Sequence, residues 1–264
     1  MAQRALPIGR RFAKSPADQQ RGFLMSDETK HESGSPWRNF YGRLHGKTLN
    51  QAQKEYLDED LPRLSPGGVG WDENPDRIKI DMDKRFKGKP VWVEIGFGAG
   101  EHLVHMAKTY PNVEIIGCEP YVNGVAACLG KLRREGPIDN VSIHAGDARD
   151  LFDVLPDASV EKAFLNYPDP WPKARHHRRR FVTPEHLGPL HRVLKAGSEF
   201  RVATDIPDYV RQTMEEVPLA GFEWLGAHAE DWGTAPDDWL STRYEKKALR
   251  EGRTPHYMSF RRGQ

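Results

Sequence analysis

Cysteine is scarce: Cys118 and Cys128 are the only two in 264 residues. They stand ten apart, which makes neither a disulfide framework nor a metal knuckle and suits a reducing compartment. No uncharged apolar run approaches the roughly 18 residues of a membrane-spanning helix. No basic segment leads into an apolar stretch at the N-terminus, so no secretory signal peptide is expected and a cytoplasmic setting is. The eleven histidines include no H-E-x-x-H pairing, and no bound metal is expected. No internal repeat is visible. Net charge is also small, +1 at pH 7, from 39 Lys and Arg against 38 Asp and Glu.

That balance conceals a segregation. Residues 1–50 hold nine cations and four acids, residues 173–180 five cations and no acid, and residues 241–262 seven cations and two acids. Each segment carries +5, which leaves −14 on the rest of the chain. Basic patches on an acidic body are the footprint of a protein that meets a polyanion such as nucleic acid.

The length predicts one large domain or two small ones. Residues 1–36 lack apolar periodicity and read as a flexible tail, with Met25 as an alternative start to Met1. Residues 37–264 read as one domain whose arm and first helix occupy 37–68. Leu49, Tyr56, Leu57 and Leu61 place an amphipathic helix over Leu49–Leu64, ended by Ser65-Pro66-Gly67-Gly68. Apolar strands then alternate with helical segments. Strands are expected at 91–95, 113–118, 141–144, 160–166, 199–203, 222–225 and 256–261, and helices at 101–109, 122–135, 184–193 and 207–217. This alternation predicts an α/β fold, a Rossmann-like, doubly wound and mostly parallel sheet covered by helices on both faces.

The first strand runs into Glu94-Ile95-Gly96-Phe97-Gly98-Ala99-Gly100. Glycines between a strand and a helix let the backbone approach a ligand at the carboxyl edge of a sheet. The third glycine of a dinucleotide fingerprint would fall at 101, which is Glu101, and an acid there would repel a pyrophosphate. A ligand with an amino-acid end fits better. This E-x-G-x-G-x-G element resembles motif I of the S-adenosylmethionine-dependent methyltransferases. Glu119 ends the second strand, placed to accept hydrogen bonds from ribose hydroxyls, and Asp147 follows the third strand in Gly146-Asp147-Ala148, placed for the adenine edge.

After the fourth strand comes Asn166-Tyr167-Pro168-Asp169-Pro170-Trp171-Pro172-Lys173, then Ala174-Arg175-His176-His177-Arg178-Arg179-Arg180. The prolines stiffen the loop and present one carboxylate at the end of a central strand, where doubly wound sheets keep their active sites. The cations suit phosphates, and Trp171 or Tyr167 offers a surface for an unstacked base.

These motifs resemble the signature of the bacterial tRNA (guanine-N7-)-methyltransferase family, the TrmB family. Thr204-Asp205 and Thr242-Arg243-Tyr244-Glu245 match its later motifs, with Arg243 where lysine is frequent, and Tyr41-Gly42-Arg43-Leu44-His45-Gly46-Lys47 is similar to its N-terminal arm. The resemblance spans about residues 37–262. It implies methyl transfer from S-adenosylmethionine to guanine 46 of the tRNA variable loop. Glu94, Gly96, Gly98, Gly100, Glu119, Asp147, Ala148 and Asp169 would then serve the cofactor, with Asp169 also acting at the reacting centre. Lys173, Asp205, Thr242, Arg243, Tyr244 and Glu245 would bind the substrate. Arg175, His176, His177, Arg178, Arg179 and Arg180 would contact RNA. The partner would be tRNA, met by a monomer or homodimer. The alternatives are an amino-group methyltransferase acting on adenine or glutamine and a silent RNA-binding protein on the same scaffold.

Overall fold

The computed structural model describes Arg38 and residues 40–264. The expectation of a flexible tail over 1–36, and the choice between Met1 and Met25, lie outside the described residues. Residues 40–264 belong to one compact unit.

Seven strands make one sheet: β1 (Val91–Ile95), β2 (Glu114–Cys118), β3 (Val141–His144), β4 (Val160–Asn166), β5 (Leu194–Thr204), β6 (Phe222–Trp224) and β7 (His256–Arg262). Their order is β3-β2-β1-β4-β5-β7-β6. The first five strands are parallel, and β7 inserts antiparallel between β5 and β6. The expected α/β class and mostly parallel sheet are therefore present. β1 and β2 are buried at every position, as a parallel sheet covered on both faces requires. One face packs Phe152, Leu187, Leu190 and Tyr209, and the other packs Leu103, Met106, Val125 and Leu129.

The helices are α1 (Gln51–Glu59), α2 (Leu61–Leu64), α3 (Met82–Phe86), α4 (Glu101–Thr109), α5 (Val122–Glu135), α6 (Ala148–Val154), α7 (Pro184–Val193), α8 (Pro207–Leu219) and α9 (Arg243–Arg250). The expected helix over Leu49–Leu64 is two. Asn50 and Gln53 close a capping box at the start of α1, and the chain breaks at Asp60, ahead of Pro62 in the first turn of α2. β5 begins at Leu194, earlier than expected, because opposite Val160–Lys162 of β4 it carries the extra residues between Leu194 and Glu199 as a bulge. The order reverses between β1 and β4, so a crevice opens at their carboxyl ends.

Candidate active site

A cavity of about 560 Å³ fills that crevice. Gly96 and Gly98 after β1, Glu119 after β2, Asp147 after β3 and Asp169 after β4 line it, and Tyr244 of α9 and residues 40–43 close it.

Gly96 has φ 71°, and a Cβ there would meet no protein atom within 4 Å. The backbone is bare where the cavity needs room. The Gly98 N–H donates to Glu119 Oε2 at 2.7 Å, and the Tyr121 N–H donates to Oε1 at 2.8 Å. These bonds fix the carboxylate while both oxygens keep acceptor capacity. Burial raises the Glu119 pKa; the two N–H bonds oppose that, and the charges of Asp169 and Glu94 add to it. Ala148 also lines the cavity. Asp147 caps α6, but both of its oxygens accept from Arg149, whose other arm reaches Glu185 at 2.8 Å.

Two residues expected at the cofactor do not line the cavity. Glu94 is 2% exposed and pairs with buried His102 Nδ1 at 2.9 Å, so it anchors the start of α4 to β1 from beneath the loop. At Gly100, φ 74°, a Cβ would collide with Cys128 Sγ; this glycine lets α4 and α5 approach rather than facing the cavity. Glu101 receives Arg243 Nε at 2.7 Å and lies 3.8 Å from Lys131. Burial raises its pKa, but the Arg243 hydrogen bonds prevail and hold it below the usual value. Its charge is therefore matched, and the repulsion of phosphate argued from it is weaker than the sequence suggested.

The Pro168–Pro172 loop is strained. Tyr167 (φ 50°) and Trp171 (φ 40°) are left-handed although neither is glycine and each precedes a proline. Such residues cost on the order of 1–3 kcal/mol each and persist only where the surroundings hold them. Among the described residues none donates a hydrogen bond to the Asp169 carboxylate. It opens on the cavity; desolvation by the surrounding protein raises its pKa and the charge of Arg43 opposes that rise. Arg179 lies 4.8 Å from the Tyr41 ring and 5.0 Å from the Trp171 ring, so a cation joins the arm to the loop at the rim.

The remaining expected contact residues differ in burial and pairing, and Arg180 is a correction. Arg180 cannot meet RNA as folded: it is 1% exposed and its guanidinium turns inward. Asp205 is buried and paired with Arg253. Thr242 caps α9 by accepting the Glu245 N–H, and Arg243 is held by Glu101. Glu245 is 6% exposed and accepts from Trp239 Nε1 at 2.5 Å and from the Tyr257 hydroxyl at 2.9 Å. Of residues 242–245 only Tyr244 faces the cavity. Lys173, Arg175 and Arg178 are exposed outside it or at its edge. His176 packs edge-on against Trp171, and His177 Nε2 lies 3.1 Å from Asp208.

The arm residues Phe40 to Arg43 were recognisable as an arm, but not as part of the cavity wall. Asn123 holds the arm down: its Oδ1 accepts from the Gly46 N–H and its Nδ2 donates to the Lys47 carbonyl, both at 2.7 Å. Asn166 lines the cavity with its amide O and N buried and unpartnered among the described residues. An asparagine at a strand end was a weak signal for either role. Among the described residues no group of three His, Cys, Asp or Glu side chains is placed to hold a metal, and no helix is long and apolar enough to cross a membrane.

Residues 88–258 match a family model described as "Putative methyltransferase". An antibiotic-related methyltransferase shares the fold at TM-score 0.50 and 17% identity, covering 69% of this chain and 94% of that one. The 16S rRNA methyltransferase KamB does so at TM-score 0.51 and 15% identity, covering 70% and 95%. A parallel sheet with a glycine loop, a strand-end acid and this crevice defines a class I methyltransferase fold.

The chain is 68% identical over 233 residues to the tRNA (guanine-N(7)-)-methyltransferase of Ruegeria sp. (strain TM1040), covering 88% of this chain and 91% of the relative. To the enzyme of the same name from Azorhizobium caulinodans it is 43% identical over 236 residues, covering 89% and 97%. It belongs to the tRNA (guanine-N(7)-)-methyltransferase family.

Proposed function

We propose that the chain transfers the methyl group of S-adenosylmethionine to N7 of guanine 46 in the variable loop of tRNA. The observation that carries this reading is a cavity whose lining joins the fixed Glu119 carboxylate and the Asp169 carboxylate, which no donor among the described residues holds, to the exposed cations Arg43 and Arg178. Glu119 is buried in the lining and Asp147 is half-buried against the buried Arg149, while Asp169, Arg43 and Arg178 are exposed and Arg179 is half-buried. Such a cavity disfavours a phosphate within and favours a cation there, while its rim attracts the backbone of a polyanion.

The residues fit the cofactor. Gly96 leaves open space, the fixed Glu119 carboxylate keeps acceptors for a ribose diol, and the acidic interior suits an ammonium and a sulfonium. S-adenosylmethionine supplies a methyl group on a positively charged sulfur. Guanine N7 has a free lone pair and no proton at neutral pH, so the protein need not provide a base. Its work is alignment, which supplies roughly 7–11 kcal/mol in well-oriented systems, and stabilisation of the positive charge that the guanine ring gains. That no described residue donates to the Asp169 carboxylate supports a role for it in the second task, and it would also be able to accept from the guanine N1–H or amino group. Tyr244 closes over Gly98, whose Cβ position lies 3.3 Å from its ring.

The test is transfer of labelled methyl from S-adenosylmethionine to unmodified tRNA carrying G or A at position 46, followed by nucleoside analysis. Label in 7-methylguanosine, and only with G at 46, is expected. Label on an exocyclic amine or at another position, or none, overturns the reading.

A further inference from the structure

Arg180 ends a run of cations that resembles an RNA-binding surface, yet it is among the most buried side chains of the protein. All five of its N–H donors have acceptors. Nε donates to the Pro170 carbonyl at 2.8 Å, and Nη2 to the Trp171 carbonyl at 3.4 Å and to Asp208 Oδ2 at 2.9 Å. Nη1 donates to Gln212 Oε1 at 2.8 Å and to the Asp208 carbonyl at 3.3 Å. The guanidinium also stands 5.1 Å from the Tyr209 ring. Gln212 is itself fixed by donating to the Val182 carbonyl at 2.7 Å, and Asp208 is further paired with Arg211.

From these contacts we infer that Arg180 is the positioning residue of the Pro168–Pro172 loop: it clamps the two carbonyls that follow Asp169 to the first turns of α8 and so holds the Asp169 carboxylate in the cavity. This rests on the methyl-transfer reading. The clamp also accounts for the left-handed Trp171, whose carbonyl it holds. A buried guanidinium with every donor satisfied makes a rigid, planar brace, which a lysine of equal charge cannot reproduce. A displacement of about 1 Å in an aligned site costs roughly a hundredfold in rate. Arg180 thus acts on chemistry through Asp169 without touching either substrate.

The experiment compares wild type, Arg180→Lys and the milder Asp208→Asn, which loosens the clamp from the α8 side if the first variant fails to fold. Leu190→Ala, a core truncation remote from the loop, serves as a control for lost stability. With saturating tRNA and S-adenosylmethionine, Arg180→Lys is expected to lower the single-turnover rate roughly 10- to 100-fold. Asp208→Asn is expected to lower it less, and Leu190→Ala to leave it within twofold despite its lower Tm. The salt dependence of tRNA binding should match wild type in all. Hydrogen exchange at the Asp169 and Trp171 amides should quicken in the two clamp variants only. A wild-type rate in both clamp variants, an unchanged exchange at those amides, or a lower salt slope in Arg180→Lys overturns the inference. A wild type that transfers no methyl to tRNA N7 overturns the functional reading instead, and the exchange measurement still decides the clamp.

Discussion

Glu119 does two jobs with one carboxylate: it ties the glycine loop down through the Gly98 N–H and keeps acceptors toward the cavity. Glu119→Ala should therefore weaken S-adenosylmethionine binding by about 1–3 kcal/mol in calorimetry, the range for a missing hydrogen bond to a charged group. Glu119→Gln should weaken it less, since one oxygen remains to accept. The raised pKa values of Glu119 and Asp169 fix the sign of an acid dependence. A raised carboxyl pKa means that the ionised form disappears at a higher pH than for an exposed acid. Cofactor affinity and rate should thus begin to fall while ordinary surface carboxylates are still charged, and Asp169→Asn should remove its share of the acid limb from the rate profile. At this scale the sequence was informative where a residue's neighbours along the chain define its role. The positions of Glu119 and Asp169 in the cavity wall were legible because a strand end and two prolines present them. Arg180 and Glu245 were not, because their roles depend on Asp208, Gln212, Trp239 and Tyr257, which only the fold brings near.

Among the elements, the strands and the long helices followed from apolar periodicity, while α3, α6 and α9 did not. α9 buries only Glu245 and Ala248, so it offers no apolar stripe to read, and α6 has only seven residues. The arm is a third case, since its 40–47 segment has no regular structure and is placed by Asn123 at the start of α5. Asn123→Ala removes both of those bonds and should loosen the arm, which the Val122 N–H bond to the Leu44 carbonyl at 3.0 Å still tethers, without unfolding α5. Faster hydrogen exchange over residues 40–47 is expected, together with weaker binding of tRNA and cofactor; unchanged exchange there would mean the arm is held by other groups. The 3-10 turn Ala174–Arg179 carries the exposed cations as one unit. Replacing Arg175 and Arg178 with Ala should lower the slope of log affinity against log salt by about one for each phosphate that is no longer neutralised. An unchanged slope would place the RNA on another face.

The whole molecule combines a nearly neutral chain with a strong internal division of charge. Cations gather at the rim and in three sequence segments, and carboxylates line the crevice between β1 and β4. On the proposed reading the exposed cations would draw the RNA while the carboxylates would stabilise the developing cation, so a change at Asp169 should alter chemistry without altering RNA affinity. Asp169→Asn tests this most directly, because the amide keeps the loop's shape while Pro168, Pro170 and the Arg180 clamp still hold its backbone. The measurement is its single-turnover methylation rate at saturating tRNA and S-adenosylmethionine, beside its tRNA affinity. A fall of roughly 10²–10³ in rate with affinity within twofold of wild type is expected, the cost of removing electrostatic stabilisation at a preorganised site. A wild-type single-turnover rate, or an effect confined to tRNA affinity, would contradict the account.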